Sequence, residues 1–180
     1  MVGDALFDCV DAIRADWGPL SSRLVDACRR RLEVLAAAPA SESWLSELHR
    51  AGPASRELHR DAEHGFMLLA HTETEGLYRP PHDHGRGWVI YAVQSGEVEM
   101  GSYARVQDED GRVRLVKRDA SVVRAGQARV YLPGDIHDTR CLTRTALLLR
   151  FTDRDLKRED GEERRMTRYV EHDGVWTAAV

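Results

Sequence analysis

The feature that most constrains this chain is a change of grammar near residue 64. From there on, short apolar runs alternate with glycine-, aspartate- and proline-rich turns at intervals of about ten residues, the signature of a sandwich or barrel of short strands. Phe66 to Ala70 reads as a strand, and Trp88 to Val93 as a buried one. Glu97 to Met100 follows the Ser95-Gly96 turn. Asp108-Glu109-Asp110-Gly111 is a hairpin turn between two alternating runs, the second carrying Val113, Leu115 and Lys117. Val122-Val123, Val130 to Leu132 and Ala146 to Phe151 complete the series.

Before that point the pattern is helical. Leu6, Phe7, Val10, Ile13 and Trp17 share one face, and Gly18-Pro19 ends that element. A second helix, capped by Ser21 or Ser22, carries Leu24, Val25, Cys28, Leu32 and Leu35, and a third spans Ser41 to His49. The expected organisation of 1–180 is therefore one domain. Residues 1–60 form a helical layer, 61–155 the β-barrel core, and 156–180 a charged loop followed by strands. The run Asp153 to Arg168, dense in both charge signs, reads as a solvated loop. The final strand pair is expected at Thr167 to Val170 and Val175 to Ala178, around Asp173-Gly174.

Composition bounds the function. A formal charge of −4, from 30 acids and 26 bases, gives no basic excess for a nucleic acid. No apolar run reaches the roughly 18 residues of a membrane helix. The three cysteines Cys9, Cys28 and Cys141 are odd in number and far apart, which suits reduced thiols in a cytoplasmic setting.

The chemistry sits in Pro81-His82-Asp83-His84-Gly85. An H-x-H pair arises by chance about a third of the time in a chain with 8 histidines, so its context decides. Alternate residues of a strand face one way, so His82 and His84 can aim at one point while Asp83 faces the other. A third histidine, His137, follows a strand and the Pro133-Gly134 turn. Neutral imidazoles suit Fe, Zn, Ni or Cu.

Together these segments resemble the two motifs of the cupin family: His82, His84 and Gly96 for the first, and Gly126, Pro133, Gly134 and His137 for the second. The match covers about residues 58 to 155. It implies a mainly β fold, a jelly-roll barrel with the N-terminal helical layer, and a metal held by His82, His84 and His137. The glutamate that usually follows the second histidine is missing, since Gly85 to Tyr91 offer no carboxylate. That departure resembles the three-histidine group of cysteine and mercaptopropionate dioxygenases. The resemblance implies Fe(II), with Zn, Ni or Mn as other occupants, a small thiol and dioxygen as substrates, and pairing into a homodimer through exposed strands. It also assigns Arg60, with Arg86 as the second candidate, to the substrate carboxylate, a contact for which a guanidinium fork is well shaped.

Two features depart from that group. The group's crosslinking cysteine would fall near Val89. Its Ser-x-His-x-Tyr triad would fall on Ala146 to Arg150, where none of the three is present. A phenol from Tyr91, Tyr131 or Tyr103 is the expected replacement. His49, His59, His64, His71 and His172 are expected to be structural or at the surface. The competing readings are a cupin enzyme with another metal and a non-thiol substrate, and a cupin that binds a small molecule without turnover.

Overall fold

The computed structural model describes residues 4–109 and 111–179. Three helices come first: α1 (Ala5–Asp16), α2 (Ser22–Ala36) and α3 (Ser43–Ala51). Asp4 caps α1 by accepting from the Leu6 amide, and Ser21 caps α2 by accepting from Leu24, each satisfying an amide the helix itself leaves free. Gly52 ends α3 in the left-handed conformation. The buried stripe runs through Val10, Ile13, Leu24, Cys28, Leu32, Leu35, Leu45 and Leu48. Phe7, expected on that stripe, is instead 62% exposed, because α1 buries Cys9, Val10 and Ile13, packs Leu6 beside them and turns Phe7 away.

The strands follow: β1 (Arg56–Arg60), β2 (Met67–Thr74), β3 (Tyr78–His82), β4 (Val89–Ser95), β5 (Glu97–Gln107), β6 (Val113–Arg124), β7 (Ala128–Tyr131), β8 (Ile136–Cys141) and β9 (Thr145–Thr152). After helix α4 (Leu156–Glu163) come β10 (Tyr169–His172) and β11 (Val175–Ala178). One sheet has the order β1-β2-β9-β4-β7 and a second the order β3-β8-β5-β6. Strands β2, β9, β4 and β7 opposite β3, β8, β5 and β6 is the strand order of a jelly roll. The fold is thus mainly β, a jelly-roll barrel with an N-terminal helical layer, as the sequence led us to expect.

Strand parity divides the core in two. Leu68, Ala70, Ile90, Ala92, Leu147, Leu149 and Phe151 turn outward, and the three helices pack on them. Val89, Tyr91, Val93, Ala146 and Leu148 turn inward and meet Val98, Met100 and Cys141 of the other sheet. Each such fully buried Leu or Phe contributes about 1.5–3 kcal/mol of transfer free energy. On the outer face of the second sheet, Tyr169 and Trp176 of the β10–β11 hairpin cover Tyr103, Leu115 and Ile136.

Four local expectations change. Val122-Val123 is not a separate strand but the end of the long β6, paired throughout with β5. Strand β1 (Arg56–Arg60) falls within the 1–60 stretch expected as the helical layer, whose helices stop at Ala51. Strand β3 forms despite Pro80-Pro81, because it lies at a sheet edge where missing amide donors cost nothing, and its register shifts between Arg79 and His82. The expected loop from Asp153 contains α4, capped by Asp155 on the Arg158 amide, anchored by buried Leu156 and braced by the Arg158–Glu162 pair at i,i+4.

Candidate metal centre

His82 is the last residue of β3 and lies directly opposite His137 of β8. Sheet pairing therefore juxtaposes two of the three histidines. His84 comes from the turn beyond the strand rather than from the strand itself. Asp83 fixes that turn: its carboxylate accepts from the amides of Gly85 (3.0 Å) and Thr167 (2.9 Å), and its amide donates to the Thr167 carbonyl (3.0 Å). Gly85, at φ +58°, completes the turn against the Arg165 backbone, which a Cβ would meet at 2.8 Å.

The three ring centroids are 4.6, 5.0 and 5.1 Å apart. One nitrogen from each ring lies within 4.8 Å of the others, the only such cluster of His, Cys, Asp and Glu found among the described residues. The His82 Nδ1–H donates to the Pro80 carbonyl at 2.9 Å, leaving Nε2 with its lone pair free. His84 and His137 are fully buried. His84 Nδ1 and both nitrogens of His137 have no hydrogen-bond partner. Buried polar atoms left without partners are costly and rare, so these nitrogens fit a metal ion as their missing partner. Burial pushes the imidazolium form of all three down, His84 to about 2; Arg150 adds repulsion at each, with Arg168 and Arg79 at His82 and neighbouring histidines at His84 and His137. The neutral form is the ligating form.

Two tyrosines adjoin the cluster. Tyr131 stacks on His137 with centroids 3.8 Å apart and planes 16° off parallel, and burial pushes its phenol pKa up. Tyr91 Oη is 3.5 Å from His84 Nε2. Tyr103 is elsewhere: it donates to the Asp138 carboxylate, which also accepts from Tyr78 Oη and the Gly101 amide.

A cavity of about 550 Å³ opens beside His82 and Tyr91. Leu77, Leu148 and Met166 line it, and Arg168, Tyr169 and Val170 of the C-terminal segment form one wall. Neither arginine assigned to the substrate reaches it. Arg60 is exposed on the edge strand β1 and forks onto Glu57 and Asp155 at 2.8 and 2.7 Å. Arg86 is exposed in the turn and pairs with Glu159 and Glu163 at 2.5 and 3.1 Å. Both guanidiniums are already committed to carboxylates, an outcome that spacing along the sequence does not reveal. The cavity instead contains two residues that the sequence did not single out for the site, His71 and Arg150.

No protein family profile matches the chain. No curated protein matches it. Among solved structures, the cupin domain of Cnp3 from Schizosaccharomyces pombe is similar at 9% identity, over 60% of this chain and 69% of its own, with a TM-score of 0.44. KdgF from Halomonas sp. is similar at 17% identity, over 58% and 82%, with a TM-score of 0.45. An oxalate oxidase in complex with glycolate is similar at 22% identity, over 56% of this chain, with a TM-score of 0.42. The match spans about half, 51%, of that oxidase chain. At these scores the likeness adds nothing to the strand pairings. The chain is a jelly-roll protein with three imidazoles gathered inside its barrel, a candidate metal centre.

Proposed function

We propose that the protein is a mononuclear iron enzyme that oxidises the sulfur of a small thiol with dioxygen. The observation that carries this reading is the donor set: three neutral imidazoles with no carboxylate in the cluster. Fe(II) bound by His82, His84 and His137 would supply open coordination positions for thiolate and dioxygen, and an anionic ligand would offset the charge that no protein carboxylate neutralises. In the reaction R–SH + O₂ → R–SO₂H, the O–O bond breaks and two S–O bonds form. Sulfur gives up four electrons, which reduce the dioxygen, and the thiol proton ends on the sulfinic acid or in solvent.

The chain's own residues set the conditions. Pro80 holds His82 in one tautomer, and Tyr131 holds the plane of His137. Tyr91 Oη offers an O–H donor to an anion beside the cluster. Leu77, Leu148 and Met166 give that side of the cavity an apolar lining.

A second reading has its own observation. Ala146, Leu148 and Arg150 stand where the thiol dioxygenases it resembles carry Ser, His and Tyr, and three imidazoles also suit Zn or Ni, and Mn more weakly. The test is oxygen uptake by anaerobically iron-loaded protein given L-cysteine, 3-mercaptopropionate, cysteamine and mercaptosuccinate in turn. Uptake with at least one thiol, and none with its hydroxyl analogue, is the expected result. No uptake with any of them, from protein shown to hold iron, overturns the thiol reading.

A further inference from the structure

Strand β9 reads as an apolar run, yet one cation interrupts it. Arg150 pairs in register with Tyr91 of β4 on one side and Leu69 of β2 on the other. Directly opposed residues share a face, so Arg150 turns inward with Tyr91, toward the barrel and the three histidines. Arg150 lines the 550 Å³ cavity and also borders a second one on the side of Met67 and Leu69.

The other cations of that wall are already matched. Arg79 donates twice to Glu73, at 2.8 and 3.1 Å. Arg168 donates to Asp160 at 2.7 Å. Arg150 makes no ion pair and no hydrogen bond among the described residues, and its buried Nε is without a partner. One uncompensated positive charge therefore faces the cavity. This partly buried guanidinium is the charge-assisted donor left for an anion that enters the cavity.

His71 stands beside it on β2. Its Nδ1 lies 3.2 Å from the Ala54 carbonyl, which assigns the proton to Nδ1 and leaves the buried Nε2 as an unused acceptor. Burial, reinforced by Arg150, lowers the His71 pKa to about 4, so it adds no second positive charge near neutral pH.

We infer that Arg150 anchors a single carboxylate of the ligand that fills this cavity, with the apolar body of that ligand along Leu148, Leu77 and Met166 and its reactive end at the histidines. One free guanidinium matches one negative charge, and its fork suits a carboxylate. A 550 Å³ cavity falls in the range, about 300–1,000 Å³, of small-molecule sites. The inference rests on the cluster being a metal centre. It does not rest on the reactive group being a thiol.

The experiment is calorimetric titration of the metal-loaded protein with 3-phenylpropionate and with its neutral counterpart 3-phenylpropan-1-ol. The acid should bind about ten- to a hundredfold more tightly, as expected for a charge-assisted contact in a cavity. Arg150→Gln should abolish that advantage, Arg150→Lys should retain part of it, and Arg60→Gln should leave it intact. The ligand-free Arg150→Gln protein should melt no lower than wild type, because Arg150 makes no ion pair or hydrogen bond among the described residues that the substitution would remove. Equal binding of acid and alcohol to wild type, or an advantage that survives in Arg150→Gln, overturns the anchor. A lower melting temperature in Arg150→Gln, with both probes lost, marks a structural role and overturns it too. Arg150-dependent acid binding alongside failed oxygen uptake removes the thiol and keeps the anchor. Oxygen uptake without Arg150-dependent binding removes the anchor alone.

Discussion

Asp61→Asn tests how the helical layer is fastened to the barrel. Asp61 follows β1 and is 2% exposed. One carboxylate oxygen accepts from Arg14 Nε of α1 at 2.5 Å, and the other accepts from the amides of His64 (2.7 Å) and Glu63 (3.1 Å). Burial raises the pKa of this group. The Arg14 guanidinium and the two amides outweigh it and bring the pKa from 3.8 down to about 2. At 1.36 kcal/mol per unit this is worth about 2 kcal/mol, an upper value because Arg14 is half-exposed and its charge is screened. A depressed carboxylate pKa gives stability that is complete well above 3.8 and is lost as the pH falls toward 2. By pH 3 only about 1 kcal/mol of it remains. Asparagine keeps an oxygen for the amides and deletes the charge. Urea unfolding of both proteins at pH 7, 5 and 3, followed by tryptophan fluorescence, reads the difference, with Trp17 packed 5.1 Å from Phe66 as a local reporter. The gap should be about 1–2 kcal/mol at pH 7 and close by roughly half at pH 3. A gap that is absent at pH 7, or that stays constant across the three pH values, refutes the ion-pair account.

His137→Ala should reduce bound metal from one equivalent to near zero, measured by elemental analysis after dialysis against the metal, because His137 is the most enclosed of the three donors. Arg60→Ala should change urea stability by less than about 1 kcal/mol, since its two ion pairs are exposed, and should leave the KM of any substrate unchanged. Gly85→Ala should cost about 2 kcal/mol or more, from the left-handed φ and the 2.8 Å approach to the Arg165 carbonyl oxygen, read as a lower melting temperature together with faster proteolysis of the segment after Glu163. Phe151→Ala should cost about 3–5 kcal/mol by thermal unfolding, because Phe151 is fully buried among Trp17, Phe66 and Trp88 where the helices meet the sheet.

The donor set was legible because each histidine carries local punctuation. His82 and His84 bracket one residue beside Gly85, and His137 follows Pro133-Gly134, so turns that local chemistry dictates deliver all three. The long hairpin around Asp108 to Gly111 was legible for the same reason, although Asp110 lies outside the described residues. Arg150 was not legible. Strand β9 is buried on both faces, under the helices through Leu147, Leu149 and Phe151 and inside the barrel through Ala146 and Leu148. Such a strand shows no alternation, and nothing in the sequence tells which face its single charge takes. Arg60 was misplaced because resemblance fixes position along the chain, whereas its partners Glu57 and Asp155 are fixed by folding, the second of them 95 residues away. Helix α4 was hidden by charge: one buried leucine and one cap are too little apolar signal to separate a short helix from a loop.

The wall made by Met166 to Val170 has a consequence for how the protein is made. It is held to the histidine turn by the Thr167–Asp83 contacts, which join residues 84 apart in the chain. Translation delivers His82, His84, His137 and Arg150 before any of that wall exists. At 5–20 residues per second, about thirty residues separate His137 from Met166, an interval of a few seconds. During it the nascent chain has every donor atom and no cover. An ion present at that moment would reach the three histidines before the wall closes over them. A metal held by these histidines would then reflect the ions at hand during synthesis as well as the ligands themselves.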